Sequence, residues 1–200
     1  MKAPVRRFPL FASLIVAAAC AVMVVLGFWQ LGRAAEKSEE LEKLEQNMVS
    51  PAIAFPNDRY DQTHLFRPSF LDCRQPGELT IEGAGKAGYR VIATCADGAR
   101  VQLGTTKDPH STINWEGGSV TGSIGQVPDS RPVILAAFAG TGREIMLIAD
   151  RPQAGLAANP PRSVSEIPNN HLSYAVQWFL FAAIALVIYL LALRKRWHEG

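Results

Sequence analysis

The sequence lacks the motifs with which most enzymes bind phosphates, nucleotides, zinc or an activated serine. It contains no P-loop, no G-x-S-x-G, no H-E-x-x-H and no dinucleotide-binding fingerprint. Histidine is scarce, and His64 and His110 stand apart from any other candidate catalytic residue. The segments TKDPH (106–110) and INWEGG (113–118) are typical of a turn and of a loop packed on a sheet. We therefore expect that the chain is not an enzyme, with a membrane-bound enzyme as the weakest alternative.

A surplus of positive charge is also lacking in the middle of the chain. Residues 32–170 contain fourteen Lys/Arg against seventeen Asp/Glu, so their net charge is slightly negative. Nucleic-acid binding depends on a basic stripe that neutralises phosphates, and no such stripe is present. We expect no nucleic acid partner.

Cysteine is limited to three residues, which restricts the disulfide and metal chemistry available. Cys20 lies in an apolar run and is expected to pack as a small apolar residue. Cys73 and Cys95 lie in the middle region, where a disulfide is permitted if that region is extracytoplasmic. Whether they pair is left open. They do not form a C-x-x-C pattern, so we expect no metal site built from them.

The sequence does have two long apolar runs, one near each end. From residue 9 to residue 31 the only polar side chains are Ser13, Cys20 and Gln30, and residues 175–193 carry no charge. A run of about 20 residues crosses a hydrocarbon core about 30 Å thick as a helix. A helix also satisfies its own backbone hydrogen bonds in lipid. We expect two transmembrane helices.

The first apolar run is interpreted as a retained anchor rather than as a cleaved signal peptide. MKAPVRR would serve as the basic start of a signal peptide, but the apolar part is too long and no A-x-A site ends it. AAAC (17–20) resembles a lipoprotein cleavage site, yet apolar sequence continues beyond it through AVMVVLGFW.

Charge at the two ends predicts the orientation of the chain in the membrane. By the positive-inside rule both termini are cytoplasmic and the central domain is periplasmic, in a bacterial inner (plasma) membrane. The basic residues that decide this are Lys2, Arg6, Arg7, Arg194, Lys195 and Arg196. The predicted segments are a cytoplasmic N-terminus (1–8), transmembrane helix 1 (9–31), a polar helical extension (32–50), a β-rich periplasmic domain (51–168), transmembrane helix 2 (171–193) and a cytoplasmic tail (194–200).

The fold class predicted for the whole chain is α+β, with two helices flanking an antiparallel β-rich domain. Residues 33–48 contain no Gly or Pro and continue the first helix, which Ser50-Pro51 ends. Residues 51–78 look like an irregular connection, and 150–168 like an extended, proline-rich return to the membrane. Five to six strands are expected in an antiparallel sheet or small barrel. The strand candidates include 79–83, 119–127 and a hairpin over 133–149 that turns at 140–142.

The best-defined hairpin covers residues 88–104. Asp97-Gly98 is typical of a two-residue type I′ turn. Pairing across that turn places one set of side chains on the buried face and leaves Arg90, Arg100 and Gln102 with the polar positions. The expected buried set is Ile92, Thr94, Val101 and Leu103.

The start of the second apolar run carries a histidine and two aromatic residues in helical register. Asn169 and Asn170 suit the cap of the helix. His171, Tyr174 and Trp178 then follow at spacings that place them on one stripe. An interfacial aromatic belt explains such residues without any ligand. A shallow pocket for a ligand remains the alternative, since polar groups inside a membrane are costly.

The end of the first apolar run, GFWQLGR, presents a matching set at the same membrane border. Trp29 and Gln30 lie in its last membrane turn, and Arg33 follows Trp29 by four residues. In the ligand interpretation a neutral imidazole from His171 binds iron. Arg33 holds an anionic group such as a haem propionate, and the aromatic rings stack on a flat apolar ring system.

At these residues the sequence resembles the SURF1 (Shy1-like) family of cytochrome oxidase assembly factors. G-F-W-Q-L-G-R (27–33) is similar to the family's L-G-x-W-Q-x-x-R, and P-N-N-H-L-S-Y-A-V-Q-W-F (168–179) to its N-N-H-x-x-Y-A-x-x-W-F. The layout of two helices around a central domain agrees as well. Residues 88–104 resemble the family's strand pair around a D-G turn. The chain departs from the family at VQLGTTKDP (101–109), where V-N-R-G-W-V-P is usual.

The resemblance implies assembly of cytochrome c oxidase rather than catalysis, through transient handling of haem a and its insertion into the catalytic subunit. It implies as partners the large membrane subunit of the oxidase, haem a synthase and the lipid bilayer. His171 is the implied haem contact or axial iron ligand. The other implied haem-binding residues are Tyr174, Trp178, Trp29, Gln30 and Arg33. The alternative is a non-catalytic two-span membrane protein whose periplasmic domain is regulatory or structural.

Overall fold

The computed structural model of the chain describes residues 9–128 and 143–199, which form two compact units. One unit combines Met1–Glu40 with Ile167–Gly200, and the other is Leu41–Glu166. The basic residues at 2–7 and the turn expected at 140–142 lie outside the described residues.

Two long helices dominate the first unit, although residues 41–48 of the first helix belong to the other unit. α1 is Leu10–Met48 and α2 is His171–Glu199. α1 includes the polar segment 33–48, whose good helix formers continue the apolar helix without a break. Most of the large apolar side chains on both helices are exposed. Both helices are long and apolar enough to cross a membrane by length and composition.

The second unit is built on one seven-stranded sheet within the described residues, with the order β1-β2-β6-β7-β5-β4-β3. The expectation of five to six strands was therefore too low. The strands are β1 (Ile53–Ala54), β2 (Pro68–Cys73), β3 (Pro76–Gly83), β4 (Tyr89–Cys95), β5 (Arg100–Thr106), β6 (Gly118–Gln126) and β7 (Ile145–Ala149).

The sheet is mixed, so the prediction of an antiparallel domain was wrong in this respect. β1 pairs with β2 in parallel and β5 pairs with β7 in parallel, while the other four pairings are antiparallel. The reason lies in strand order. β5 and β6 run in opposite directions, and β7 lies between them. A strand inserted between two antiparallel strands must be parallel to one of them, and no local pattern reveals that insertion.

The hairpin of β4 and β5 forms where it was predicted, but its turn and register differ from the prediction. The Cys95 N–H donates to the Ala99 carbonyl at 2.8 Å, and the Gly98 N–H donates to the Cys95 carbonyl at 2.8 Å. Gly98 has φ 83°, whereas Asp97 is not among the positive-φ residues. This is a three-residue loop, a type I turn followed by a left-handed glycine, and not a type I′ turn.

The extra loop residue shifts the pairing by one position and exchanges the two faces of β4. Ala93 is opposite Val101, and Ile92 is opposite Gln102. The expected grouping of Ile92 and Thr94 with Val101 is therefore wrong. The face of this hairpin in the main core carries Val91, Ala93, Cys95, Val101 and Leu103.

The segment 51–78 is also more regular than expected, because it contains β1, β2 and the start of β3. The segment was predicted to be irregular because it contains prolines at 51, 56, 68 and 76. Pro68 and Pro76 are each the first residue of a strand, where a missing N–H is tolerated.

The core of the sheet unit is apolar and contains a disulfide. Cys73 of β2 and Cys95 of β4 are bonded, with their Cα atoms 5.5 Å apart. Among the fully buried residues are Val101, Leu103, Ile124 and Leu147. Because β2 and β4 are far apart in the strand order, the sheet must curve to bring these cysteines together.

The return segment, residues 150–168 after β7, packs on the sheet through main-chain and side-chain hydrogen bonds. The Thr105 and Ala157 main chains exchange two hydrogen bonds of 2.9 Å. The Asn159 amide donates to the Ala149 carbonyl at 2.9 Å and accepts from the Gln102 side chain at 2.7 Å. This places the following residues, Pro160 to Arg162, against β6 and β7.

Candidate functional site

α1 and α2 pack against each other in antiparallel fashion, in contact along most of their apolar length. As the residue numbers increase along α1, the residue numbers of their contact partners decrease. The described contacts are Ser13–Tyr189, Cys20–Ala182, Phe28–Phe179, Gln30–His171 and Ala34–Asn169. The two predicted clusters are therefore brought to the same end of the helix pair.

Gly27 leaves room for the ring of Phe179 just below the site. A Cβ atom at this position would lie 2.6 to 2.9 Å from three ring atoms of Phe179. Phe28 also contacts Phe179, with ring centroids 5.4 Å apart in an edge-to-face arrangement. Small residues that permit close backbone approach are characteristic of helix pairs in membranes.

His171 and Gln30 form the central polar contact of the site. The Nδ1 atom of His171 lies 2.7 Å from the Oε1 atom of Gln30. An amide oxygen only accepts hydrogen bonds, so Nδ1 carries the proton and donates. In the neutral ring the Nε2 atom then keeps its lone pair. A hydrogen bond from the second ring nitrogen is how proteins orient a metal-binding histidine.

Asn169 does not cap α2 as expected but reaches across to α1. Its Nδ2 group donates to the Ala34 carbonyl and to the Ser38 hydroxyl, both at 3.2 Å. The Asn170 carbonyl accepts from the Tyr174 N–H, which makes Asn170 the residue that precedes the first turn. Asn169 therefore connects the start of α2 to α1, and Asn170 begins the first turn of α2.

The aromatic residues of the two clusters point mainly outward. Trp29 is 56% exposed and Tyr174 is 49% exposed, whereas Ala175 is fully buried. Trp178 is half-buried and packs edge-to-face on Phe181. The structure therefore joins His171 to Gln30 directly and places the aromatic rings on the outer surface around them.

Arg33 forms an exposed ion pair with Glu36 on the same helix. Exposed pairs of this kind contribute about 0–1 kcal/mol and exchange readily with other partners. Arg33 would leave this carboxylate easily for a stronger anionic group.

The donor set at this site fits a metal that brings its own ligands. Within residues 9–128 and 143–199 no group of three or more His, Cys, Asp or Glu side chains is placed to hold a bare metal ion. His171 offers a single oriented nitrogen beside exposed aromatic rings. A haem group would take one nitrogen ligand for its iron and flat apolar surfaces for its ring.

The sequence did not identify several residues of the site. The ring of Phe179 lies against Gly27, and the Ser38 hydroxyl accepts a hydrogen bond from Asn169, although none of these three residues was singled out as functional. A glycine inside an apolar helical run was an available signal, since it marks close helix approach. The contact of Asn169 with Ala34 had no local signal, because the two residues are 135 positions apart.

Comparison with protein-family models identifies the family that the chain resembles. The model of the SURF1 family matches residues 17–183, which covers most of the chain and includes both clusters. No curated protein sequence matches the chain.

Proposed function

The chain belongs to the SURF1 family, which is associated with cytochrome c oxidase assembly, and we propose that it handles haem a for the catalytic membrane subunit of that oxidase. The observation that carries the proposal is the hydrogen bond from His171 to Gln30. It joins the two motifs of the family resemblance at one place. Haem a synthase is the proposed donor of the haem.

A location in the bacterial inner membrane is supported by the surface of the helix pair. Leu14, Val25, Leu180 and Ile188 are each more than half exposed. In water such a surface would be unfavourable, whereas in lipid it is the preferred one. Basic residues beyond both apolar runs support cytoplasmic termini and a periplasmic sheet unit.

The disulfide between Cys73 and Cys95 supports the periplasmic location independently. Disulfides persist in the periplasm and are rare in the cytosol. With the sheet unit outside, the pair of His171 and Gln30 lies near the outer membrane border.

His171 is the proposed axial ligand. Its Nδ1 proton is donated to Gln30, so in the neutral ring the Nε2 lone pair is available to iron. Haem, when bound, would supply an iron that accepts the nitrogen of His171 and propionate groups that carry negative charge. A single nitrogen ligand without a protein cage keeps the binding exchangeable, as a carrier that must release its cargo requires.

The remaining residues provide apolar contact and charge. The exposed rings of Trp29 and Tyr174 offer flat surfaces, with the half-buried ring of Trp178 beside them. Arg33 offers an exposed guanidinium that would pair with a propionate. These roles involve binding and orientation only, and none of the residues transfers a proton or electron.

The direct test is the visible spectrum of the protein purified from cells that make haem a. The expected result is a bound-haem signal that His171→Ala abolishes. His110→Ala, at an exposed histidine of the sheet unit, is the matched control and should keep the signal. Full haem signal in His171→Ala would reject His171 as the ligand.

Gln30→Leu gives a second measurement on the same site. Loss of the hydrogen-bond acceptor leaves the histidine ring unoriented, and such losses weaken metal affinity about 10- to 100-fold. Gln177→Leu, at an exposed position of α2, is its control. Equal haem affinity in the two variants would contradict the role of Gln30.

The assembly role is tested separately from haem binding by deleting the gene. Cells without the protein should contain oxidase with reduced haem a content, and His171→Ala should fail to restore it. Normal oxidase in the deletion strain would overturn the assembly role even if the purified protein binds haem.

A further inference from the structure

The sheet unit contains a second candidate site, in a cavity of about 300 Å³ that is distant in sequence from both family motifs. β2, β6 and β7 supply its floor, and the return segment supplies one wall. The residues on which the argument rests are Phe66, Ser123, Gly125, Asp150 and Arg162.

Arg162 is the charged group of this cavity. Its Nη1 atom donates to the Ile124 carbonyl at 2.8 Å, and its guanidinium lies 4.0 Å above the ring of Phe66. Burial lowers the pKa of Arg162 to about 10, so it remains a cation at neutral pH. Among the described residues it forms no ion pair with a carboxylate.

A largely buried cation without an anion is unfavourable unless something compensates it. A guanidinium carries five N–H donors in a fixed fork, and only one hydrogen bond from Arg162 is described. The fork matches the paired oxygens of a carboxylate or phosphate. The unused donors of Arg162 are therefore placed to bind an anionic ligand.

The backbone around Arg162 is shaped to hold it in place. A Cβ atom at Gly125 would lie 2.7 Å from Nη1 of Arg162, so a larger residue would displace the guanidinium. Phe66, which stacks on Arg162, has φ 68° and so adopts a left-handed conformation rare outside glycine. Its N–H donates to the same Ile124 carbonyl that accepts from Arg162. Strain of this kind is often stored at binding sites.

Polar and apolar groups share the rest of the lining. Ser123 has a half-buried hydroxyl without a hydrogen-bond partner in the described part of the chain. Met48, Ile148 and Pro160 provide apolar surface. Asp150 is an exposed carboxylate at the edge of the cavity and would repel a ligand that carries charge on that side.

From this arrangement we infer that the cavity binds a small oxyanion, a carboxylate or phosphate group, with its oxygens on Arg162 and Ser123 and its apolar part on Met48 and Ile148. The group would belong either to a free small molecule or to the head of an anionic lipid. The inference is independent of haem binding, because it uses no residue of the helix-pair site.

The test uses the full chain in mild detergent, titrated by calorimetry with inorganic phosphate and with butyrate. Binding of at least one probe is expected in the wild type. Arg162→Gln should weaken it by about 10- to 100-fold, because it removes a charged hydrogen-bond donor. Arg90→Gln is the matched control, since Arg90 also donates to a main-chain carbonyl, that of Gly83, but lies away from the cavity.

Two milder variants keep the test decisive if Arg162→Gln does not fold. Arg162→Lys keeps the charge but loses the fork and should bind more weakly than the wild type. Ser123→Ala should also bind more weakly. Wild-type affinity in both variants would overturn the inference.

Lipid and free anion are distinguished by repeating the measurement in lipid nanodiscs. Phosphatidylglycerol discs should block phosphate binding if the lipid head occupies the cavity, whereas phosphatidylcholine discs should not. Blocking in neither disc assigns the site to a free small molecule. Absence of binding to phosphate, butyrate and phosphatidylglycerol by the folded wild type would overturn the inference altogether.

Discussion

Single hydrogen bonds decide what several residues of this protein do. His171 has its Nδ1 proton held by Gln30, and the free Nε2 atom makes it a candidate ligand rather than one more interfacial histidine. Asn169 suits a helix cap by its position in the sequence, yet its amide binds α1 instead. In both cases the partner is more than 100 residues away, so the residue type alone leaves the role undecided.

Asp61 gives a prediction at the residue scale about pH. The hydroxyl and the backbone N–H of Thr63 donate to its carboxylate at 2.5 and 2.9 Å and hold the pKa of Asp61 below its usual range. A lowered folded-state pKa stabilises the protein above the unfolded value of about 3.9, and this contribution is lost as pH falls through the folded value.

Asp61→Asn should therefore lower the free energy of unfolding at pH 7 by no more than about 1 kcal/mol, since the group is partly exposed. The difference from the wild type should shrink in acid. Thr63→Val should reproduce part of the effect. Urea unfolding in mild detergent over a pH series measures the free energy of unfolding of the variants and of the wild type. A difference between Asp61→Asn and the wild type that stays constant from neutral to acid pH would contradict a lowered pKa of Asp61.

At the scale of elements, the helix pair and the hairpin differ in how far local sequence predicts them. α1 and α2 follow from length and apolarity, and their ends at Ser50-Pro51 and His171 were expected nearly to the residue. The hairpin of β4 and β5 was located from Asp97-Gly98, but its loop has one residue more than expected. An Asp-Gly pair occurs in two-residue loops and in three-residue loops. Which of the two loops forms depends on which face of each strand the rest of the core covers.

A substitution at Gly27 tests the packing of α1 against α2. Replacing it with leucine would place a side chain in the ring of Phe179 and push the helices apart. Cys20 donates to the Ala182 carbonyl at 3.6 Å, so Ala182→Cys should form a disulfide with it under mild oxidation. Gly27→Leu should reduce this crosslink severalfold.

Gly32→Leu provides the control on the same helix, because a Cβ atom at Gly32 meets nothing within 4 Å. The crosslink is read as a mobility shift on a non-reducing gel after the other two cysteines are replaced. Equal crosslinking in the two leucine variants would mean that Gly27 does not set the helix distance.

At the scale of the whole molecule, the two units depend on different stabilising forces. The sheet unit has an apolar core closed by the bond between Cys73 and Cys95. The helices expose most of their large apolar side chains, and by length and composition they are able to cross a membrane, where lipid would cover these side chains. Destabilising one unit therefore need not unfold the other.

Reducing the disulfide tests this separation. The two cysteines are 22 positions apart, and closing a loop of that size stabilises a domain by about 3 kcal/mol in the chain-entropy account. The double variant Cys73→Ser, Cys95→Ser should lower the unfolding midpoint of the sheet unit. Far-ultraviolet circular dichroism should still report intact helices at that temperature.

The haem signal provides the second readout for the same variant. It should be retained below the unfolding midpoint, because the disulfide lies outside the helix-pair site. Loss of helix signal together with sheet signal would show instead that the two units unfold as one.

The sequence by itself determined the features that depend on neighbouring residues: two apolar helices, a polar extension of the first, a β-rich middle and the two motifs at the ends of the apolar runs. These follow from composition, periodicity and capping, which act within a few turns of the chain. The family model matches residues 17–183, a range that includes both motifs.

Tertiary structure alone decided the features that depend on residues far apart in the chain. It inserted β7 between β5 and β6 and thereby made the sheet mixed. It also paired Cys73 with Cys95 and placed Arg162 in a cavity without a carboxylate partner among the described residues. Strand order and burial are set by the packing of the whole core, where one residue of register exchanges the two faces of a strand.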